Sequence, residues 1–267
     1  MARLACVLLL ALALAGCGGG DGGGDAADVL AETEAKLAEI RSGELSFALV
    51  AVGTGPDGGR LGVELAGPFA FGADGELPVA EIAYTEFAGD ETSEATFVST
   101  DGKAYLELDD ATYELPPEML DDLRGADGGE GLARLGIEDW LVEPELVDGG
   151  DVDRLEGRLD VGEAAADLAA LLGELGGVDA DVLDEASTKT LERVARSSSV
   201  VVETGADDRL LRRLTIGVEL GVDGSPELEQ ALEGLGGGAE VTLDVRIERP
   251  NQPVDVAAPE DAQPLGG

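Results

Sequence analysis

Residues 241–248, Val-Thr-Leu-Asp-Val-Arg-Ile-Glu, alternate without a break. In an extended chain Val241, Leu243, Val245 and Ile247 fall on one side, and Thr242, Asp244, Arg246 and Glu248 on the other. A helix would scatter the same residues around its circumference. One dry and one wet face is what an antiparallel sheet covered on a single side demands. A second long segment follows the rule: within 209–222, Leu210, Leu214, Ile216, Val218, Leu220 and Val222 share a face that only Arg212 interrupts.

The first half of the chain adds shorter strands. Leu45, Phe47, Leu49 and Ala51 alternate with their neighbours, and after a turn over 53–59, Leu61, Val63 and Leu65 point one way. Further strands are expected at 79–87, 94–100, 103–108 and 152–160, divided by turns such as Gly89-Asp90 and Asp101-Gly102. Turns at this spacing suit an antiparallel meander. Leucine stripes mark helices at 28–41 and 162–175, with weaker ones at 117–124, 187–196 and 226–235 and a possible turn at 131–135. The expected class is α+β, with helices on the dry face of a single antiparallel sheet.

The N-terminus carries a different kind of signal. Arg3 precedes an apolar run, Leu4 to Leu14, that is too short to cross a bilayer, which takes about 20 residues. The run closes on Leu14-Ala15-Gly16-Cys17, the pattern of a lipobox. The expectation is a lipoprotein signal peptide over 1–16, cleaved before Cys17, whose sulfur takes a diacylglyceryl group. Two or three fatty chains anchor a protein where one binds only marginally. Residues 17–27 then form a tether, Gly-rich from Gly18 to Gly24, spanning roughly 15 Å. A single domain is expected over 28–260, with a flexible tail over 261–267. The protein would stand on the extracytoplasmic face of a bacterial cell membrane.

Composition removes several kinds of chemistry. The chain has 57 acidic residues, 17 Lys and Arg, and no histidine, for a net charge of −40. Nucleic acid is excluded as a partner, because phosphate contacts need clustered cations. Without imidazole there is no Ser-His-Asp triad, no His-ligated zinc and no two-His iron site. Cys6 leaves with the signal and Cys17 is acylated, so no thiol remains for catalysis. Carboxylate pairs abound, but none has a context that singles it out. No enzymatic activity, cofactor, catalytic residue or resident metal is expected. The acidic stretch at Asp148–Asp153 lacks the Gly and Glu that a calcium loop needs at 153 and 159.

Taken together, the lipobox and tether, the helix followed by a meander, the strand Asp101-Gly102-Lys103-Ala104-Tyr105-Leu106 and the ending Pro253-Val254-Asp255-Val256-Ala257-Ala258-Pro259 resemble the LppX, LprA, LprF and LprG type of bacterial lipoprotein. The resemblance spans nearly the whole mature chain. It implies a LolA-like fold: a strongly curved antiparallel half-barrel whose concave face is covered by helices, with an apolar cavity for acyl chains between them. One departure is Tyr113, where relatives often carry tryptophan; the chain's single tryptophan is Trp140.

The function this implies is binding the acyl chains of a lipid or glycolipid and carrying or presenting them across the envelope, with a transport protein as a possible partner and a monomer as the solution state. The expected lining comprises Val63, Leu65, Ile82, Tyr84, Phe97, Leu214, Ile216, Val218, Leu243 and Val245 from the sheet, with Leu168, Leu171 and Leu172 from a covering helix. Aromatics make up only 3% of the chain, and an aliphatic lining suits flexible acyl chains, which need apolar area and no directional contacts. The same dry face could instead be a filled core. A protein-binding envelope sensor or scaffold on this fold, without cargo, is the alternative.

Overall fold

The computed structural model describes residues 26–55, 58–72, 76–109, 111–124, 136–174, 185–221, 235 and 237–265; the side chains of 121–124, 148, 168–174 and 185–188 lie outside that description. The expected signal peptide, Cys17 with nearly all of the tether, the turn at 131–135 and nearly all of the helix at 226–235 also lie outside it. Helix α1 is Ala26–Ala35, followed by a 3-10 turn at Leu37–Glu39. Six strands come next: β1 Ser42–Gly53, β2 Arg60–Ala70, β3 Val79–Ala88, β4 Glu91–Thr100, β5 Lys103–Leu108 and β6 Ala111–Glu114. Helices α2 Pro117–Arg124 and α3 Ile137–Trp140 lead to β7 Leu141–Asp148 and β8 Val152–Leu159. Then come α4 Val161–Glu174, α5 Glu185–Val194, β9 Ala195–Gly205, β10 Leu211–Gly221, β11 Gly238–Glu248 and β12 Gln263–Pro264.

All twelve strands form one open, curved sheet in the order β12-β6-β5-β4-β3-β2-β1-β11-β10-β9-β8-β7. It consists of two meanders, β1–β6 and β7–β11, zipped together where β1 pairs antiparallel with β11. Every pairing is antiparallel except the short one between β12 and β6. The α+β half-barrel expected from the sequence is the fold observed.

Period-2 alternation sets the two faces. On the inner face one row of cross-strand neighbours runs Leu155, Val202, Leu214, Val245, Phe47, Leu65, Tyr84, Ala95 and Leu108. Helices cover the β7–β11 end of this face. Helix α1 buries Ala26, Val29, Leu30 and Thr33, a spacing that aligns them in one stripe. Together with Leu37, Ile40, Ile137 and Trp140 they pack on the sheet in the main core cluster. A second inner cluster, at the other end, gathers Leu77, Ala104, Leu115 and Leu120 of α2 with Phe97, Leu106 and Leu265.

Arg212, the one interruption in the dry face of β10, sits at a register shift between Leu211 and Arg213. The extra residue of this bulge lets Leu211 point inward and releases Arg212 to pair with Asp208 at 2.6 Å.

Four strands were not expected from the sequence: β6, β7, β9 and β12. The last occupies 263–264, inside the stretch 261–267 for which a flexible tail is expected from the sequence. After β11 the chain crosses the outer face, where Val254, Val256 and Ala262 pack with Val79, Val98 and Tyr105, and Thr100 Oγ1 donates to the Val256 carbonyl at 3.0 Å. It then reaches the β6 edge, where Gln263–Pro264 pairs with Tyr113 and Glu114 and Leu265 enters the second inner cluster. Buried apolar contacts on both faces hold this segment in place.

Candidate functional site

The inner face of β2–β4 between the two clusters is built differently from its flanks. Val63, Leu65 and Tyr84 are half-buried there and belong to neither cluster. Leu65 stands opposite Phe47 on one side and Tyr84 on the other, and Val63 opposite Leu49 and Glu86. Ile82, opposite Phe97, leans on the main cluster, while Phe97 packs in the second. The result is an apolar strip flanked by two packed regions.

The remaining expected lining residues fall in three groups. Leu214, Ile216, Val218 and Leu243 are buried in the main cluster beneath the helices, and Val245 packs half-buried against it. Leu168, Leu171 and Leu172 lie on α4, but their side chains are outside the described residues. The sequence alternation puts all the sheet residues of the expected lining on one face, and by register that is the inner face. It did not separate those under helices from those in the strip.

At the β3–β4 hairpin the apolar rows end in polar groups that sequence reasoning had not singled out. Glu86 faces Ser93, and Ala88 faces Glu91, all on the inner side. Tyr84 Oη donates to Glu86 Oε2 at 3.0 Å, and burial together with this donation raises the Tyr84 pKa above that of an ordinary phenol. The signal was available: Ala80, Ile82, Tyr84, Glu86 and Ala88 share one parity along the strand.

Cations are kept off the strand positions of this face. By register, no inner-face strand position among the described residues is Lys or Arg. Buried Asp153 of β8 is met by Arg209 Nη1, and Arg209 Nε lies 3.3 Å from Glu32 of α1. Lys36 Nζ donates to the Asp208 carbonyl at 2.8 Å, clipping the end of α1 to the same turn. With its carboxylate committed to Arg209, Asp153 is a poor cation ligand, and no cluster of His, Cys, Asp or Glu fit for a metal occurs among the described residues. On the outer face, a groove of about 250 Å³ lies between β1, β2 and the C-terminal segment, lined by Glu44, Pro68, Arg249, Gln252 and Val254 among others.

Trp140, at 0% exposure, anchors the helical cover. Its Nε1 donates to Asp167 Oδ2 on α4 at 2.9 Å, and the Gly136 N–H reaches the same oxygen at 3.2 Å. Nearby, Glu34 Oε2 accepts the Glu138 N–H at 2.7 Å. Burial, reinforced by Glu138, Asp139 and Asp167, holds the Glu34 carboxyl above its usual value despite that hydrogen bond.

No family model matches the sequence, and no curated protein is similar to it. Similar solved structures include the crystal structure of LprF from Mycobacterium bovis, 12% identical, covering 90% of this chain and 99% of that one with a TM-score of 0.42. Another is a DUF1329 family protein from Desulfovibrio piger, 14% identical, covering 84% of this chain and 92% of that one with a TM-score of 0.24. Among the described residues, no helix is long and apolar enough to cross a membrane.

Proposed function

We propose that the protein is an extracytoplasmic lipoprotein, anchored through acylated Cys17, that holds acyl chains of a lipid against the inner face of its sheet and carries or presents them within the envelope. The observation that carries this reading is the half-buried apolar strip of Val63, Leu65 and Tyr84 between two packed clusters. A filled core leaves no such gap, whereas an acyl chain covers one with apolar area alone, at roughly 25 cal/mol per Å². Ile82, Phe97 and Val245 flank the strip, and Leu214, Ile216, Val218 and Leu243 form the packed floor beside it. Leu168, Leu171 and Leu172 of α4 are proposed as part of its cover.

The alternative, a scaffold that recruits partners along a sheet edge, has less in its favour. Strand β7, which ends the sheet among the described residues, contains Pro144, a left-handed Glu143 (φ 55°) and a register shift between Val142 and Glu145, devices that blunt strand addition.

Expression of a soluble Cys17→Ser form in a lipid-rich bacterial host, native purification and mass spectrometry of an organic extract test the proposal. Stoichiometric acyl lipid is the expected result. A protein that stays empty and takes up no acyl probe sinks it.

A further inference from the structure

We infer that the inner face selects against anionic head groups, so that its cargo is an acyl lipid whose polar end at the β3–β4 hairpin is neutral or cationic; this rests on the acyl-binding reading above. The apolar strip of Leu65, Val63 and Tyr84 runs along the strands into Glu86, Ser93 and Glu91. A chain lying in the strip brings its head to these groups. Glu86, Glu91 and Ser93 are exposed, and Tyr84 already donates its hydroxyl hydrogen to Glu86. What they offer an incoming head is therefore mainly acceptors.

A phosphate or carboxylate needs cations or converging N–H donors. The inner strand positions supply no Lys or Arg among the described residues. Arg60 and Lys103, the cations carried by β2 and β5, lie on the opposite face: Arg60 stacks over Phe87 at 3.9 Å from its centroid, and Lys103 pairs with Glu114 at 3.0 Å. Hydroxyl-bearing or ammonium heads meet complementary groups at the hairpin; anionic heads meet two carboxylates.

Three probes with one acyl chain separate the cases: monopalmitoylglycerol, palmitoylcholine and palmitate, each titrated below its micellar concentration into the soluble Cys17→Ser protein at low salt, with binding followed by native mass spectrometry. The first two are expected to bind, and palmitate about tenfold more weakly. A Glu86→Gln, Glu91→Gln variant is expected to erase most of that penalty while leaving monopalmitoylglycerol unchanged. Because the whole chain repels anions, a Glu81→Gln, Glu94→Gln variant on the outer face of the same strands serves as control and is expected to leave the penalty intact. Palmitate binding as tightly as the neutral probe overturns the inference, as does equal relief by both variants. Failure of all three probes to bind overturns the acyl-binding reading itself.

Discussion

Trp140 and Asp167 show how much one polar contact can organise. The indole is fully buried, and the Asp167 carboxylate that satisfies its N–H also takes the Gly136 amide, tying α3 to α4. Asp167→Ala leaves two donors without their partner, and stability is expected to fall by about 1–3 kcal/mol in urea unfolding followed by the fluorescence of this sole tryptophan. Glu34 behaves oppositely. Its folded pKa lies above the ordinary 4.5, so the folded state binds this proton more tightly than the unfolded state. Its contribution is favourable below the unfolded value and is lost as pH rises through the folded one. Glu34→Gln removes the repulsion and keeps an oxygen for the Glu138 N–H. It is expected to raise the stability at pH 7 slightly, by less than about 1 kcal/mol for a group only half-buried, with no gain below pH 4. A gain that persists in acid would refute this cause. Substitutions also divide floor from strip: Leu214→Ala should cost about 2–5 kcal/mol, whereas Leu65→Ala, half-buried, should cost less stability and more acyl-probe affinity.

At the level of elements, the strands that could be read were those whose alternation is strong. β11 carries Val241, Leu243, Val245 and Ile247 in strict alternation on the inner side, and β10 carries Leu214, Ile216, Val218 and Leu220, so their faces follow from parity alone. β9 was missed because it opens Ala-Arg-Ser-Ser-Ser, and Val200 and Val202 are the only aliphatic residues on its buried parity, which ends on polar Thr204. β7 was missed because Pro144 and the register shift break its alternation. The C-terminal segment has no period to read: its Val254 and Val256 are fixed by the outer-face cluster, a contact between residues far apart in sequence. The candidate strip was legible only in part for the same reason. Parity identifies the dry face, but which of its residues lie under helices depends on where α1, α3 and α4 land. β12 has just two paired residues, so its hold on β6 rests on Leu265 and on the Leu265 N–H to Glu114 carbonyl bond of 3.0 Å. Ending the chain at Ala262 is expected to speed amide hydrogen exchange across 111–120 and leave β9–β11 unchanged. Unaltered exchange at β6 would show that the pairing contributes nothing there.

For the molecule as a whole, two physical demands are met by one sheet. Joining the two meanders at β1 and β11 brings the first strand against one of the last, so the central rows close only when most of the chain is in place. Slow folding is the usual consequence of such long-range pairing. The apolar material is gathered on the inner face, while the cations carried by the strands are placed outside, where Arg213 donates to Asp244 and Arg154 lies 3.6 Å from Glu203. These pairs are local, and salt weakens them. With 57 acidic and 17 basic residues, however, even complete pairing leaves 40 carboxylates whose mutual repulsion opposes the compact state. Since screening acts on both, the excess fixes the sign. Raising NaCl from about 0.02 M to 0.3 M shortens the Debye length from roughly 20 Å to about 6 Å, which removes long-range repulsion before it removes contacts at hydrogen-bond distance. The Tm at pH 7 is therefore expected to rise over this range and to level off beyond it. A Tm that falls with salt would mean that the outer-face ion pairs outweigh the net charge, and that the acidic surface is structural in a way its arithmetic does not indicate.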